Sequence, residues 1–183
     1  MQDHGAPERK FVRPDTGLTV TDGRVVEGYA SLFGKIDQGG DKVLAGAYSA
    51  SLARLAARGG KVKMLWQHDP AQPIGVWDEV REDATGLWVK GRILAEVVKG
   101  REALALLSAG AIDGLSIGYR TVRAERDGKG QRLLSELELW EVSLVTFPML
   151  PEARVAAKSA DEAGHWRELA AIFEEARQQL AER

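Results

Sequence analysis

The chain has 183 residues, 44% hydrophobic and 28% charged, with 25 basic against 27 acidic side chains and a net charge of -2. That length suits one domain with a possible appendage, hiding about 70% of its unfolded surface, and the composition excludes wholesale disorder and fibrous classes. There is no global basic field to draw it to nucleic acid or anionic membrane, no cysteine for a disulfide, a thiolate zinc site or a thiol nucleophile, and no apolar run near the ~20 residues of a membrane span. The expectation is a soluble, intracellular, single-core protein with no nucleic-acid or membrane partner, no cofactor and no metal.

Residues 1–17, with Gly5, Pro7, Pro14 and Gly17 among mixed charges, read as a poorly ordered arm that lacks the apolar stretch of a signal peptide. Arg24 to Phe33 is the first strand-like run. Gly34 to Asp41 is a loop, punctuated by Gly39-Gly40. From Ala45 to Arg58 the pattern is helical: Tyr48, Leu52 and Leu55 recur at i, i+4, i+7, and Gly59-Gly60 supplies the stop. The period then changes to two. In Lys61 to His68, the residues Val62, Met64, Trp66 and His68 share one face, and Asp69-Pro70 is expected to break that strand.

Two strands around Ile74–Val80 and Gly86–Leu94 follow, joined by the polar Arg81 to Thr85 at hairpin spacing. A second helix spans about Glu96 to Ala109, with Val97, Leu104 and Leu107 on one side and Gly110 as its stop. Gly114–Val122 and Leu133–Val145 are the last strands, with Arg123 to Gln131 between them as an exposed turn. Pro148 and Pro151 end the last strand. Beyond a charged linker, Trp166, Leu169, Ala170, Phe173 and Ala176 mark an amphipathic helix over about Asp161 to Glu182.

The chain therefore divides into an arm (1–17), a barrel domain (18–156), and a linker with a C-terminal amphipathic helix (157–183). The fold class is mainly β with flanking helices (α+β). Short polar links make the sheet largely antiparallel, and a small closed or nearly closed barrel with helices outside it disposes of the strand edges.

Three residues stand out as chemistry. His68 is the one histidine in the folded-looking region, next to a turn. It reads either as a reactive group at a strand end or as a histidine satisfied by hydrogen bonds. Ser116 sits in Gly114-Leu115-Ser116-Ile117-Gly118, where flanking glycines let another main chain or a substrate approach and nearby N–H groups face a developing oxyanion. The letters match a hydrolase nucleophile elbow, but that elbow needs a strand-to-helix turn, and here Tyr119-Arg120-Thr121-Val122 continues as strand. The alternative is a small residue filling a crowded interior.

Glu141 breaks a pattern. If Leu137 and Leu139 face the core, strict alternation puts Glu141 there too, at a cost unless it is paired. The opposite parity gives Leu134, Glu136, Glu138, Trp140 and Val142, a mixed face, and leaves Glu141 as a rim residue or an arginine partner. Taken together the three supply a nucleophile, a base and an orienting acid, each on a different strand.

Trp66-Gln67-His68-Asp69-Pro70 with Pro73-Ile74-Gly75, then Gly114 to Tyr119, then Leu139-Trp140-Glu141-Val142-Ser143-Leu144-Val145-Thr146-Phe147-Pro148-Met149 resemble the prohead proteases of tailed bacteriophages. The early Gly28 to Phe33 fits the same family, and the resemblance spans about residues 10 to 156. It implies a capsid-maturation serine protease, similar in fold to herpesvirus assemblins, with His68 as general base, Ser116 as nucleophile and Glu141 as third member. Asp69, Asp113 and Glu138 compete for that third place. It further implies that the partners are the major capsid protein and its scaffolding segment, cleaved inside the immature shell in the bacterial cytoplasm, along with self-cleavage and association with further copies. A phage, a prophage and a gene transfer agent fit equally. A catalytically silent capsid-assembly or scaffold-binding module is the alternative. The C-terminal helix reads either as a scaffold-binding tag or as a helix docked on the barrel.

Overall fold

In the computed structural model, which describes residues 8–12, 19–21, 23–37 and 39–146, the period-two segments join one nine-stranded sheet. The strands are β1 (Glu8–Val12), β2 (Thr19–Thr21), β3 (Val25–Leu32), β4 (Asp41–Val43), β5 (Lys63–Trp66), β6 (Asp69–Glu82), β7 (Gly86–Ile93), β8 (Gly114–Arg126) and β9 (Arg132–Val145). Two helices interrupt them, α1 (Ser49–Ala57) and α2 (Val98–Ser108). Strand order is β1-β8-β9-β5-β6-β7-β3-β2, with β4 added on β9. All pairs are antiparallel except β5–β9 and β4–β9, so the sheet is largely antiparallel, as expected. It curls into a half-barrel, bringing β1 and β8 near β3 from the far part of the strand order.

The helices pack on this sheet, α1 against β6 and β9 and α2 against β6 and β7. Helix α1 starts four residues later than the periodicity suggests, because the Glu82 carboxylate accepts from the Tyr48 N–H and the Ser49 hydroxyl and holds the chain in a turn there. It stops where expected. Gly59 takes φ +63°, and the N–H groups of Gly59 and Gly60 reach back to the carbonyls of Ala56 and Leu55. Helix α2 buries Gly100, Ala103 and Leu107 and leaves Val97 exposed, contrary to the expected Val97–Leu104–Leu107 stripe. Close packing on the sheet selects the small residues of that helix. No helix among the described residues is long and apolar enough to cross a membrane.

One continuous core cluster fills the curl, including Val26, Met64, Trp77, Val89, Ile117, Tyr119, Leu139, Val142 and Leu144. The Trp77 indole N–H donates to the Val142 carbonyl (3.2 Å), tying β6 to β9.

Two segments differ from expectation. Residues 8–12, placed in the arm, form β1 and pair with β8 from Glu8↔Tyr119 to Val12↔Leu115, covering a strand edge that carries unpaired ladder groups without it. The turn over Arg123–Gln131 shrinks to Asp127–Gln131, where Asp127 Oδ1 accepts from the N–H groups of Lys129 and Gln131. The charged residues before it remain strand because cross-strand partners await them: Arg120 meets Glu138 and Arg123 meets Glu136. The C-terminal amphipathic segment and the prolines before it lie outside the described residues.

Candidate functional site

The turn from β5 to β6 consists of Gln67 and His68 alone, since Trp66 pairs with Asp69. Both residues have positive φ, 51° and 62°. A two-residue hairpin with both φ positive normally uses Asn-Gly, and a side chain in that region costs about 1–2 kcal/mol. Bonds from the end of β9 meet that cost. The Gln67 N–H donates to the Leu144 carbonyl (3.0 Å), Gln67 Nε2 donates to Thr146 Oγ1 (2.6 Å), and the His68 N–H donates to Ser143 Oγ (3.1 Å). Asp69-Pro70 therefore does not break the strand. Strand β6 begins at Asp69, and Pro70 falls in the irregular stretch between Trp66↔Asp69 and Leu65↔Pro73, where no ladder donor is needed. His68 accordingly leaves the Val62–Met64–Trp66 face and swings over β9.

Glu141 reaches the same place for a reason that strict alternation hides. Gly118 pairs with Glu141 but Tyr119 pairs with Leu139, so Trp140 is an extra residue and β9 bulges there. The bulge flips parity. Leu137 and Leu139 join the core on one side of it and Val142 and Leu144 on the other. Glu141 and Ser143 then share a face with Gly118 and Ser116, the residues they pair with. The expected common face of Leu137, Leu139 and Glu141 does not occur.

Glu141 is nonetheless buried, 8% exposed, and its partner His68 is 7% exposed. Nδ1 of His68 lies 2.5 Å from Glu141 Oε1. A carboxylate only accepts, so this contact assigns the ring proton to Nδ1 and leaves Nε2 as the basic nitrogen. Glu141 Oε2 accepts from the Ser143 hydroxyl at 2.6 Å. Both carboxylate oxygens thus have a donor, which removes most of the penalty for burying the charge.

Ser116 is fully buried near the start of β8, paired with Ser143 on β9 and Phe11 on β1. Directly opposed residues hold their Cβ atoms about 4.5–5.5 Å apart, so Ser116 lies beside the hydroxyl that touches both Glu141 and the His68 backbone. The structure joins His68 to Glu141 directly and sets Ser116 on the face of the sheet that carries Glu141. The competing acids do not join them: Asp69 accepts from the Ala71 N–H and the Gln72 amide, Glu138 binds Arg120 at 2.6 Å, and Asp113 precedes β8 in a loop. Strand β8 is paired on both sides at Ser116, with β1 and with β9.

Gly118 explains the glycine spacing. A Cβ there lies 2.0 Å from Glu141 Oε1, so the close approach that glycine permits is that of the carboxylate itself. Beside the His68–Glu141 pair opens a pocket of about 350 Å³, lined also by Lys63, Leu65, Pro70, Gly118 and Trp140. Trp77 is buried in the core, while Trp140 is 39% exposed at the pocket. Sequence reasoning missed Ser143, Gln67 and Thr146. Ser143 was signalled only by its place two residues after Glu141, on the same face. Among the described residues no group of three or more acidic or histidine side chains forms a metal cage. The arrangement suits acyl transfer: a base with a fixed tautomer, an acid behind it, and a hydroxyl on the adjacent strand.

Residues 12–166 match the family model described as caudovirus prohead serine protease. The chain is similar to the prohead protease of Enterobacteria phage HK97, 33% identical over 75% of this chain and 61% of that protein. It is also similar to a capsid polyprotein of Pseudomonas phage PAJU2, 32% identical over 55% of this chain and 16% of that one. The chain thus spans about three fifths of the first relative and about a sixth of the second. Among solved structures, that of the bacteriophage T4 capsid assembly protease superposes with a TM-score of 0.60, covering 76% of this chain and 96% of that chain at 14% identity, a likeness of fold.

Proposed function

The chain belongs to the caudovirus prohead serine protease family, and from that membership we propose that it is a serine endopeptidase of capsid maturation whose nucleophile is Ser116, base His68 and third member Glu141. The carrying observation is the buried His68–Glu141 hydrogen bond at 2.5 Å on the face that holds Ser116. In this mechanism Nε2 of His68 takes the proton from Ser116 Oγ as the oxygen attacks the scissile carbonyl. Glu141, on Nδ1–H, stabilises the imidazolium that forms. The imidazolium then protonates the leaving amine, and a water repeats the sequence to release the acyl group. The substrate is the scaffolding segment of the major capsid protein, together with the protease's own chain, inside the immature shell. The names of the similar phage proteins support the capsid as the setting.

Co-expression with the matching capsid precursor tests this. Wild type is expected to remove the scaffolding segment and Ser116→Ala to leave it attached. Removal that persists in Ser116→Ala excludes Ser116 as nucleophile. A precursor left intact by both, yet bound by both, identifies a non-cleaving assembly module instead.

A further inference from the structure

Ser143 bonds both the Glu141 carboxylate and the backbone of His68. It is fully buried, and it does two different things with its hydroxyl: the proton goes to Glu141 Oε2 at 2.6 Å, and the oxygen accepts the His68 N–H at 3.1 Å. Since that proton is directed at a carboxylate and not at the imidazole, Ser143 is not a second nucleophile.

We propose that Ser143 is a positioning residue, a hydroxyl that locks the Glu141 carboxylate and the strained Gln67-His68 turn into one register, so that Nδ1–H of His68 meets Oε1 while Nε2 turns toward Ser116. This role rests on the serine-protease assignment above. Two restraints argue for it. A carboxylate held through one oxygen rotates about its terminal torsion, which is broad, and Ser143 closes that freedom by taking the second oxygen. A turn with two non-glycine residues at positive φ needs its clamps from outside, and the bond to Ser143 is the one that acts on the histidine itself. The bulge at Trp140 is what makes the arrangement available: it puts Glu141 and Ser143, two residues apart, on the face of Ser116 rather than on the core face. Gln67, held at both its backbone and its side chain, secures the neighbouring position.

The test uses the full chain with Ser143→Ala, the near-isosteric Ser143→Cys and the hydroxyl-keeping Ser143→Thr. One readout is the rate at which a fluorophosphonate probe labels Ser116. The other is the far-downfield NMR resonance of the proton between His68 Nδ1 and Glu141, which requires no activity. Loss of a hydrogen bond to a charged group predicts that Ala and Cys slow labelling about tenfold or more. The downfield resonance moves upfield in both, and Thr keeps rate and resonance near wild type. Wild-type labelling and an unmoved resonance in folded Ser143→Cys overturn the proposal. So does a Thr variant as slow as Ala, which marks the site as packing alone. If wild type itself is not labelled, the protease assignment fails, while the resonance still decides whether Ser143 sets the pair.

Discussion

Strand β6 is entered through one turn and left through another, and the two are built on opposite plans. The exit, Asp83 to Thr85, closes its backbone with its own residues: Asp83 Oδ1 accepts from the Thr85 N–H (2.8 Å) and the Gly86 N–H (3.1 Å), and the Asp83 N–H donates to the Gly86 carbonyl (3.0 Å), while the Tyr29 hydroxyl and the Phe33 N–H add bonds from outside it. The entry, Gln67-His68, has two side-chain-bearing residues at positive φ and takes its clamps from β9, 75 to 79 residues further along the chain. A turn that stands on local bonds tolerates change elsewhere. A turn whose backbone is held from a distance tolerates little, and in return it places an imidazole against a buried carboxylate with little freedom.

Changes on β9 should therefore disable the entry turn and leave the exit turn intact. The largest effect is expected from Glu141→Gln, which keeps shape but removes the charge that, in the proposed mechanism, stabilises the imidazolium and fixes its tautomer. Fluorophosphonate labelling and capsid-precursor cleavage should fall by about a thousandfold or more, with the fold retained. A loss under tenfold removes Glu141 from the triad. Next comes Gly118→Ala. Its Cβ meets Glu141 Oε1 at 2.0 Å and the Cδ and Cγ atoms at 2.7 and 2.8 Å, so the carboxylate must move. Overpacking of this kind costs about 1–3 kcal/mol. Thermal unfolding should report that loss, and hydrogen exchange should rise at residues 67–68 but not at 83–86. Equal exchange at both turns means that the two do not differ in what holds them.

The same contrast decides what the sequence reveals. The polar Arg81-Glu82-Asp83-Ala84-Thr85 run announces a hairpin because the residues that make that turn are the residues in it. Gln67-His68 announces nothing, since its conformation is imposed by Leu144, Ser143 and Thr146, and alternation was extended through it to Asp69-Pro70. The bulge at Trp140 is equally silent: β9 reads as one unbroken strand, and only the offset between Gly118↔Glu141 and Tyr119↔Leu139 exposes the extra residue. His68, Ser116 and Glu141 were legible as residue types whose chemistry needs one another, and a largely antiparallel curled sheet was legible from period and link length. The face each residue takes, and the hydroxyl of Ser143 between them, depend on long-range register that one-dimensional periodicity does not carry.

Two smaller effects refine the comparison. Thr146→Val removes the oxygen that accepts from Gln67 Nε2 while keeping volume. One neutral hydrogen bond is worth about 1 kcal/mol, so labelling should drop about fivefold if that free energy is lost from the positioning of His68. An unchanged rate shows that the bonds left to Ser143, Leu144 and the Thr146 N–H suffice. Asp83→Asn probes the other turn and should leave labelling at neutral pH unchanged. Partial burial pushes the Asp83 carboxyl upward, but the N–H groups of Thr85 and Gly86, the Tyr29 hydroxyl and the Arg81 guanidinium outweigh it and hold the group below the usual carboxylate range. Its folded pKa being lower than its unfolded one, the unfolded chain takes up the proton first. The stabilisation is therefore complete above about pH 4 and is lost as pH falls through the lower folded value. Solvent screening keeps it under about 1 kcal/mol. Wild type should be the more stable at pH 7, and the melting temperatures of wild type and Asp83→Asn should converge on acidification; parallel curves show that the carboxylate adds nothing to a turn that its neighbours already close.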